Sequence, residues 1–159
     1  MGQILRWWYL MATSSTNIIF DKVLSPMRSF MTAEFGGGMK VYISDEYKNV
    51  GNLSLRLFCN RSDLIKEGNG FQEKAYHVDM CYYLLDANPT ERTWEKIYKD
   101  VGRIEQVIFN NKNQSQPNGF INGRIQEIVV NSKTNNELNI DNLIKVYLSF
   151  KCNYVGNIN

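Results

Sequence analysis

Two long stretches of the chain alternate apolar and polar residues, and this alternation limits the fold more than any other feature. In the first, about residues 73–85, the apolar positions are Tyr76, Val78, Met80, Tyr82 and Leu84. In the second, about residues 143–154, they are Ile144, Val146, Leu148, Phe150 and Cys152. Because side chains of a strand point alternately to its two faces, each stretch predicts a strand with one buried face.

Shorter segments predict two or three further strands. "MKVYIS" at 39–44 is one, and leucines alternate with Ser54, Arg56 and Phe58 in a second. A third covers about residues 120–130, and "GFING" at its start indicates a tight turn or a bulge. The polar "NRSDLIKEGNGFQ" at 60–72 predicts a connection rather than a strand.

Two segments have the period of a helix. The first has N-cap candidates at 14–16, apolar residues three and four apart from Ile19 to Met31, a break or kink at Pro26 and a stop at the glycines 36–38. The second starts at "DANPTERTWEKI", which predicts a capping box with Asn88 as N-cap, Pro89 first in the helix and Glu91 at its third position. Its apolar stripe is Trp94, Ile97, Tyr98, Val101, Ile104 and Ile108.

These elements predict an α+β fold, with a mainly antiparallel sheet of four to five strands and two main helices packed on one face. The opposite face is expected to be exposed and mixed in character. It would carry Ser54, Arg56, His77, Asp79 and Tyr83. We expect one domain over residues 13–159, preceded by an apolar N-terminal arm at 1–12.

The bulk composition excludes several classes of protein. A net charge of +2, from 18 basic and 16 acidic residues, is too balanced for nucleic acid or an anionic membrane to be the main ligand. The three cysteines are far apart and form no CxxC pair, which favours reduced, packed thiols over a zinc ribbon or a redox motif.

The segment "YHVDMCYYLL" places His77, Asp79 and Cys81 at every second position. On a strand these residues share a face, but the backbones of His77 and Cys81 are about 13 Å apart. Neither a single metal ion nor a Cys–His nucleophile pair can form at that separation without a sharp bulge. "FGGGMK" lacks the spacing of a phosphate-binding loop. We expect no catalytic residue, no metal and no cofactor.

The N-terminal arm contains the aromatic run Trp7, Trp8 and Tyr9. Its apolar stretch is interrupted by Arg6 and is far shorter than the roughly 20 residues needed to span a membrane. Three alternatives are open: the arm packs on its own domain, docks on a neighbouring subunit, or is a cleaved or membrane-seeking segment. In the second case these aromatic residues are interface residues, together with Arg56, His77, Asp79 and Tyr83 of the polar sheet face.

The order of elements over about residues 45–155 resembles that of the tail-terminator (tail-completion) proteins of long-tailed bacteriophages. The matching pattern is the strand "AYHVDMCYYLL", the helix "ERTWEKIYKDVGRIEQVIFNN", the strand "FINGRIQEIVV", the polar loop "NSKTNNELN" and the strand "LIKVYLSFKCNY". The first 40 residues, with the "WWY" and "GGG" segments, fall outside this pattern.

The resemblance implies a structural protein of the virion, located in the tail or neck and assembled in the host cytoplasm. It implies a homo-oligomer, typically a hexameric ring at the head-proximal end of the tail tube, that ends tube polymerisation and contacts the tube protein and the head–tail connector. Genomic DNA would pass through the ring without sequence-specific binding. The alternatives are another neck component, such as a stopper ring, a small ligand-binding α+β module or an enzyme.

Overall fold

The computed structural model describes residues 17–130 and 142–157. A π-helical segment, Ile19–Leu24, leads into helix α1, Ser25–Phe35, and a 3₁₀ turn, Gly36–Gly38. The remaining elements are β1 (Lys40–Ile43), β2 (Leu53–Gly68), β3 (Phe71–Leu85), α2 (Glu91–Asn110), β4 (Ile121–Val130) and β5 (Leu143–Asn157). The expected N-terminal arm, the cap candidates at 14–16 and most of the polar loop before β5 lie outside the described residues.

The strands form one five-stranded sheet in the order β1-β2-β3-β5-β4. Strands β2, β3, β5 and β4 pair antiparallel, whereas β1 pairs parallel to β2. The expected α+β fold is confirmed, with a mixed sheet and two helices.

The two alternating stretches form the centre of the sheet, because β3 and β5 pair along their full length. Their predicted inner faces are confirmed: all ten apolar positions are buried in the core. Helix residues complete the same core, chiefly Val23, Met27, Met31, Ile97, Ile104 and Ile108. Burial of this continuous apolar layer is the main contribution to the stability of the fold.

The first helix follows its predicted stripe at Val23, Met27 and Met31, but the stripe is wrong for Ile19, which is 39% exposed. The hydrogen-bonding pattern changes at Pro26. The π-helical turns end at Leu24, and Pro26 lies in the first turn of α1. A proline is tolerated there because the amide it lacks has no partner within the helix. Gly36 ends α1 with φ +59°, a conformation that favours glycine.

The connection predicted at residues 60–72 is wrong, because β2 continues through most of it to Gly68. The turn to β3 consists of Asn69 and Gly70 alone, and Gly70 has φ +81°. This part of the strand accommodates polar residues because both faces of β2 are exposed from Asn60 to Glu67. The alternation signal is absent where neither face is buried.

The predicted start of α2 is two residues too early. The observed N-cap is Thr90, which forms a capping box with Thr93. The predicted capping box of Asn88 with Glu91 is therefore wrong. The Thr93 hydroxyl also donates a 2.7 Å hydrogen bond to Asp86 Oδ2, which fixes the position of this end. The predicted stripe is wrong for Tyr98, which is 60% exposed.

The "GFING" segment forms the expected bulge. The register between β4 and β5 shifts between Ile121 and Arg124, and Asn122 has φ +56°. Gly123 is needed inside this bulge, since a Cβ there would lie 2.7 Å from the Phe120 ring and 3.1 Å from the Phe150 ring.

Candidate functional site

The alternating residues His77, Asp79 and Cys81 lie on the outer face of β3, opposite the helices, but they do not converge. His77 Nε2 lies 3.0 Å from Asp63 Oδ2 on the neighbouring strand. Asp79 Oδ1 accepts a 2.6 Å hydrogen bond from the Tyr147 hydroxyl. Cys81 is fully buried. Among the described residues, no group of three or more His, Cys, Asp or Glu side chains is placed to bind a metal ion.

One end of the outer face is covered by the chain itself. Because β1 and β2 are consecutive and parallel, the connection at 44–52 must run back along the sheet. Arg56 Nη1 donates to the Ser44 carbonyl (3.1 Å), and Arg56 Nε donates to the Tyr83 hydroxyl (3.2 Å). The Tyr47 ring packs edge-on against Tyr83, with 4.8 Å between centroids.

This cover corrects the expected exposure of the polar face. Arg56 is 6% exposed and Tyr83 is 1% exposed, and Ser54 is buried beside them. A buried guanidinium requires hydrogen-bond acceptors, and the Tyr83 hydroxyl and the Ser44 carbonyl supply two of them. These residues therefore fix the 44–52 connection to the sheet rather than presenting a surface to solvent.

The other end of the outer face remains open. A pocket of about 420 Å³ is lined by Asn60, Arg61, His77, Asp79 and Ser149. Asn60 Nδ2 donates to Asp79 Oδ1 (2.9 Å), and Arg61 Nη2 lies 3.2 Å from His77 Nε2. The lining is polar throughout and includes one basic residue, Arg61, and one acidic residue, Asp79, which suits polar contact with another protein surface.

The cysteines offer no activated nucleophile. Burial raises the pKa of the Cys152 thiol far above its usual range, and burial also raises the pKa of Cys59. A reactive cysteine requires the opposite shift, because the thiolate is the nucleophile. Cys81 lies against Arg56 Nη2 at 3.1 Å but is closed off from solvent.

The far end of the β2–β3 hairpin is a second open surface. Leu64 and Ile65 are 54% and 52% exposed. A register shift between Leu64 and Lys66 marks a bulge, so these two apolar side chains do not follow the regular alternation. β1 pairs with β2 only along 54–57, and no other described strand pairs with that side of β2.

A groove between α2 and β4 is the third open surface. It has a volume of about 600 Å³, and its lining includes Gly102, Glu105, Phe109, Lys112, Arg124 and Ile125. Phe109 is 63% exposed and stands at the groove wall. Lys112 Nζ lies 4.6 Å from the centre of the Phe109 ring. The groove lies beside the outermost strand of the sheet.

Of the predicted interface residues, His77 and Asp79 come together in the open pocket, whereas Arg56 and Tyr83 are buried at the covered end. Trp7, Trp8 and Tyr9 lie outside the described residues. Sequence reasoning missed the hairpin end and the groove. The adjacent apolar pair Leu64 and Ile65, inside an otherwise polar stretch, was the available signal for the former.

Comparisons of the sequence alone find no relative: no protein-family model matches the chain, and no curated protein matches it. Among the described residues, no helix has the length and apolar character that crossing a membrane requires.

Comparison with solved structures finds similar folds. One is a chain of the virion of a native gene transfer agent particle, at 8% sequence identity and a TM-score of 0.59, covering 89% of this chain and 100% of the other. Another is the sheath/tube terminator of an extracellular contractile injection system, PVC, in the extended state. It is 12% identical with a TM-score of 0.49, and the match covers 91% of this chain and 58% of the other.

Proposed function

We propose that this protein is a structural component of a phage-like tail, a tail terminator that forms a ring at the head-proximal end of the tail tube. The observation that carries the proposal is the fold shared with a chain of a gene transfer agent virion along that chain's whole length. The order of elements over about residues 45–155, which resembles the tail terminators of long-tailed phages, supports it independently.

The described surfaces suit assembly better than catalysis. The cysteine, histidine and carboxylate side chains of the outer face do not converge, and burial raises the pKa of two of the three thiols. In contrast, the open pocket, the hairpin end and the α2–β4 groove are separate surfaces of different chemistry. A closed ring requires two such different surfaces, one to meet the other on the next copy. These surfaces therefore support a role in assembly.

In this proposal the protein is a hexamer that contacts the tail tube protein on one side and the head–tail connector on the other. His77 and Asp79 remain candidate contact residues through the pocket they line. DNA passes through the ring without sequence-specific binding. The net charge of +2 supports passage, because a strongly basic lumen would retain the DNA.

The test is removal of the protein from the particle that encodes it. Without a terminator, tube polymerisation continues, so electron microscopy should show overlong tubes and heads without attached tails. Supplying the purified protein should restore tubes of uniform length. Tubes of normal length that fail to join heads would instead identify a stopper or connector component, and normal particles would refute a role in the tail.

The neighbours of the protein in the intact particle give the second measurement. A terminator touches the last ring of tube protein, whereas a stopper touches the connector and not the tube. Cryo-electron microscopy of the neck distinguishes these arrangements directly. A ring that makes no contact with tube protein would contradict the proposal.

A further inference from the structure

Helix α2 has an aromatic flank of which Trp94 alone packs against the core. Trp94, Tyr98, Glu105 and Phe109 follow one another at spacings of 4, 7 and 4 residues, which places them on one side of the helix. The Trp94 and Tyr98 rings lie 6.3 Å apart between centroids, and Tyr98 and Phe109 are each exposed over more than half of their surface. Glu105 and Phe109 of this flank lie on the helix wall of the α2–β4 groove, whereas Trp94 and Tyr98 continue the flank beyond the groove.

The chemistry of the groove favours an aromatic occupant. Two cationic side chains, Lys112 and Arg124, lie on its lining. No described carboxylate forms an ion pair with either of them. Cations beside an exposed phenylalanine can contact the faces of tryptophan and tyrosine rings, and Phe109 can pack against their edges. Gly102 leaves open space between Tyr98 and Phe109, because a Cβ at this position would have no neighbour within 4 Å.

The chain contains a segment with this chemistry. Residues 1–16 precede the described structure and include Trp7, Trp8 and Tyr9. Sixteen extended residues reach about 50 Å, whereas a helix of the length of α2 spans about 30 Å. The segment is therefore long enough to leave its own domain and follow the α2 helix of another copy.

No described residue of the first helix lines the groove. The first helix packs on the flank of α2 opposite the groove, where Arg103 Nε donates to Glu34 Oε1 at 3.1 Å and the guanidinium covers the Phe35 ring at 4.3 Å. The segment and the groove are also two different surfaces, as a head-to-tail contact requires. We propose that the α2–β4 groove binds residues 1–12 of a neighbouring copy, with Trp7, Trp8 and Tyr9 as anchors. This inference rests on the proposed ring.

Tryptophan emission can report the contact directly. The chain has three tryptophans, so Trp94→Phe leaves Trp7 and Trp8 as the only emitters. In this background the emission should lie at short wavelength and resist iodide quenching. Phe109→Ser, which changes an exposed side chain, should shift the emission to longer wavelength and raise quenching severalfold. Val50→Ser is the control, because it changes an exposed apolar side chain outside the three open surfaces and should change neither value.

A mixing experiment then separates a neighbour's groove from the chain's own groove. Both proteins carry Trp94→Phe. One lacks residues 2–12 and keeps its groove, and the other keeps its arm but carries Phe109→Ser with Gly102→Gln. Neither protein should self-associate when it is unmixed. Mixed, they should form a 1:1 complex in analytical ultracentrifugation, and the arm emission should return to short wavelength.

The possible outcomes divide clearly. If the mixture stays unassociated while the unmixed Trp94→Phe protein has a protected arm, the arm binds within its own chain and the inference is overturned. Quenchable arm tryptophans in a ring that assembles normally overturn the docking and leave the ring proposal standing. If the two variants form a 1:1 complex but the unmodified protein does not assemble into a closed ring, the docking is supported and the ring proposal is refuted. Far-UV circular dichroism of each variant verifies that it is folded.

Discussion

At the scale of single residues, one buried hydrogen bond connects α2 to the sheet. The Tyr82 hydroxyl donates to Asp100 Oδ2 at 2.6 Å, and both residues are buried. Burial, together with the Asp100 carboxylate beside it, raises the pKa of Tyr82 far above its usual value, so the phenol stays protonated and remains a donor. Lys96 Nζ, 3.1 Å from the same oxygen, compensates the charge of the carboxylate.

We expect Tyr82→Phe to lower the free energy of unfolding by about 1.5–3 kcal/mol, because it removes a hydrogen bond to a buried charged acceptor. Urea denaturation followed by circular dichroism measures the loss. Tyr98→Phe, at an exposed position of α2, is the control and should change stability by less than about 0.5 kcal/mol. An equal loss from Tyr82→Phe in an Asp100→Ala background, which has no acceptor at this position, would show that the bond itself contributes nothing.

The raised pKa of a second phenol, that of Tyr147, predicts how the free energy of unfolding changes at alkaline pH. Burial, and next the hydrogen bond and charge of Asp79, raise the pKa of Tyr147 to about 12 from 10.0. Between these values the folded protein keeps a proton that the unfolded chain has lost, so this contribution to stability is present below pH 10 and disappears as pH rises towards 12. Tyr147→Phe should therefore flatten the alkaline fall in the urea midpoint. Parallel falls for the two proteins would contradict the assignment.

At the scale of elements, α2 and β4 each contain a glycine, and the two have opposite environments. Gly123 lies in the β4 bulge, where a Cβ would be 2.7 Å from Phe120 and 3.1 Å from Phe150. Gly102 lies inside α2 with nothing within 4 Å of its Cβ position. The bulge requires a glycine, because two aromatic rings of the core pack directly over the backbone of Gly123. The helix does not require one at Gly102.

Alanine at the two positions should therefore have effects of opposite sign. Gly123→Ala should destabilise the protein by about 1–3 kcal/mol through overpacking. Gly102→Ala should stabilise it by up to about 1 kcal/mol, since alanine has the higher helix propensity. Thermal and urea unfolding of both variants measure the difference. A neutral Gly123→Ala would mean that the Phe120 and Phe150 rings move aside freely.

At the scale of the whole molecule, the core is assembled from both helices and the inner face of the sheet. Val23, Met27, Met31, Ile97 and Ile104 have no exposed surface. This continuous layer extends from the first helix to α2, and the β3–β5 pair lies beneath it. Such a core is expected to unfold as one cooperative unit.

Deleting residues 2–12 should leave that unit intact. We expect an unchanged far-UV spectrum and a single cooperative thermal transition, while self-association weakens strongly because the proposed anchors are gone. Differential scanning calorimetry and analytical ultracentrifugation measure the two properties separately. An insoluble or unfolded truncated chain would place the segment in the domain's own core.

Local periodicity was sufficient for much of the fold. The sequence predicted the alternation in β3 and β5, most of the stripe of α2 and the bulge at Gly123, because each depends on residues close together in the chain. Trp94 shows the limit of that reading. It was assigned to the inner stripe, but it is only partly buried, since the rotation of a helix depends on what packs against it.

The outer face of the sheet depended on contacts between distant parts of the chain. Arg56 and Tyr83 have the pattern of an exposed polar face, yet the parallel pairing of β1 brings residues 44–52 back over them. The extension of β2 and the groove beside Phe109 likewise arise from pairing and docking of distant segments. Periodicity describes which side of a segment prefers to be buried. It does not describe which other segment covers that side, because the covering residues are selected by the geometry of the assembled sheet.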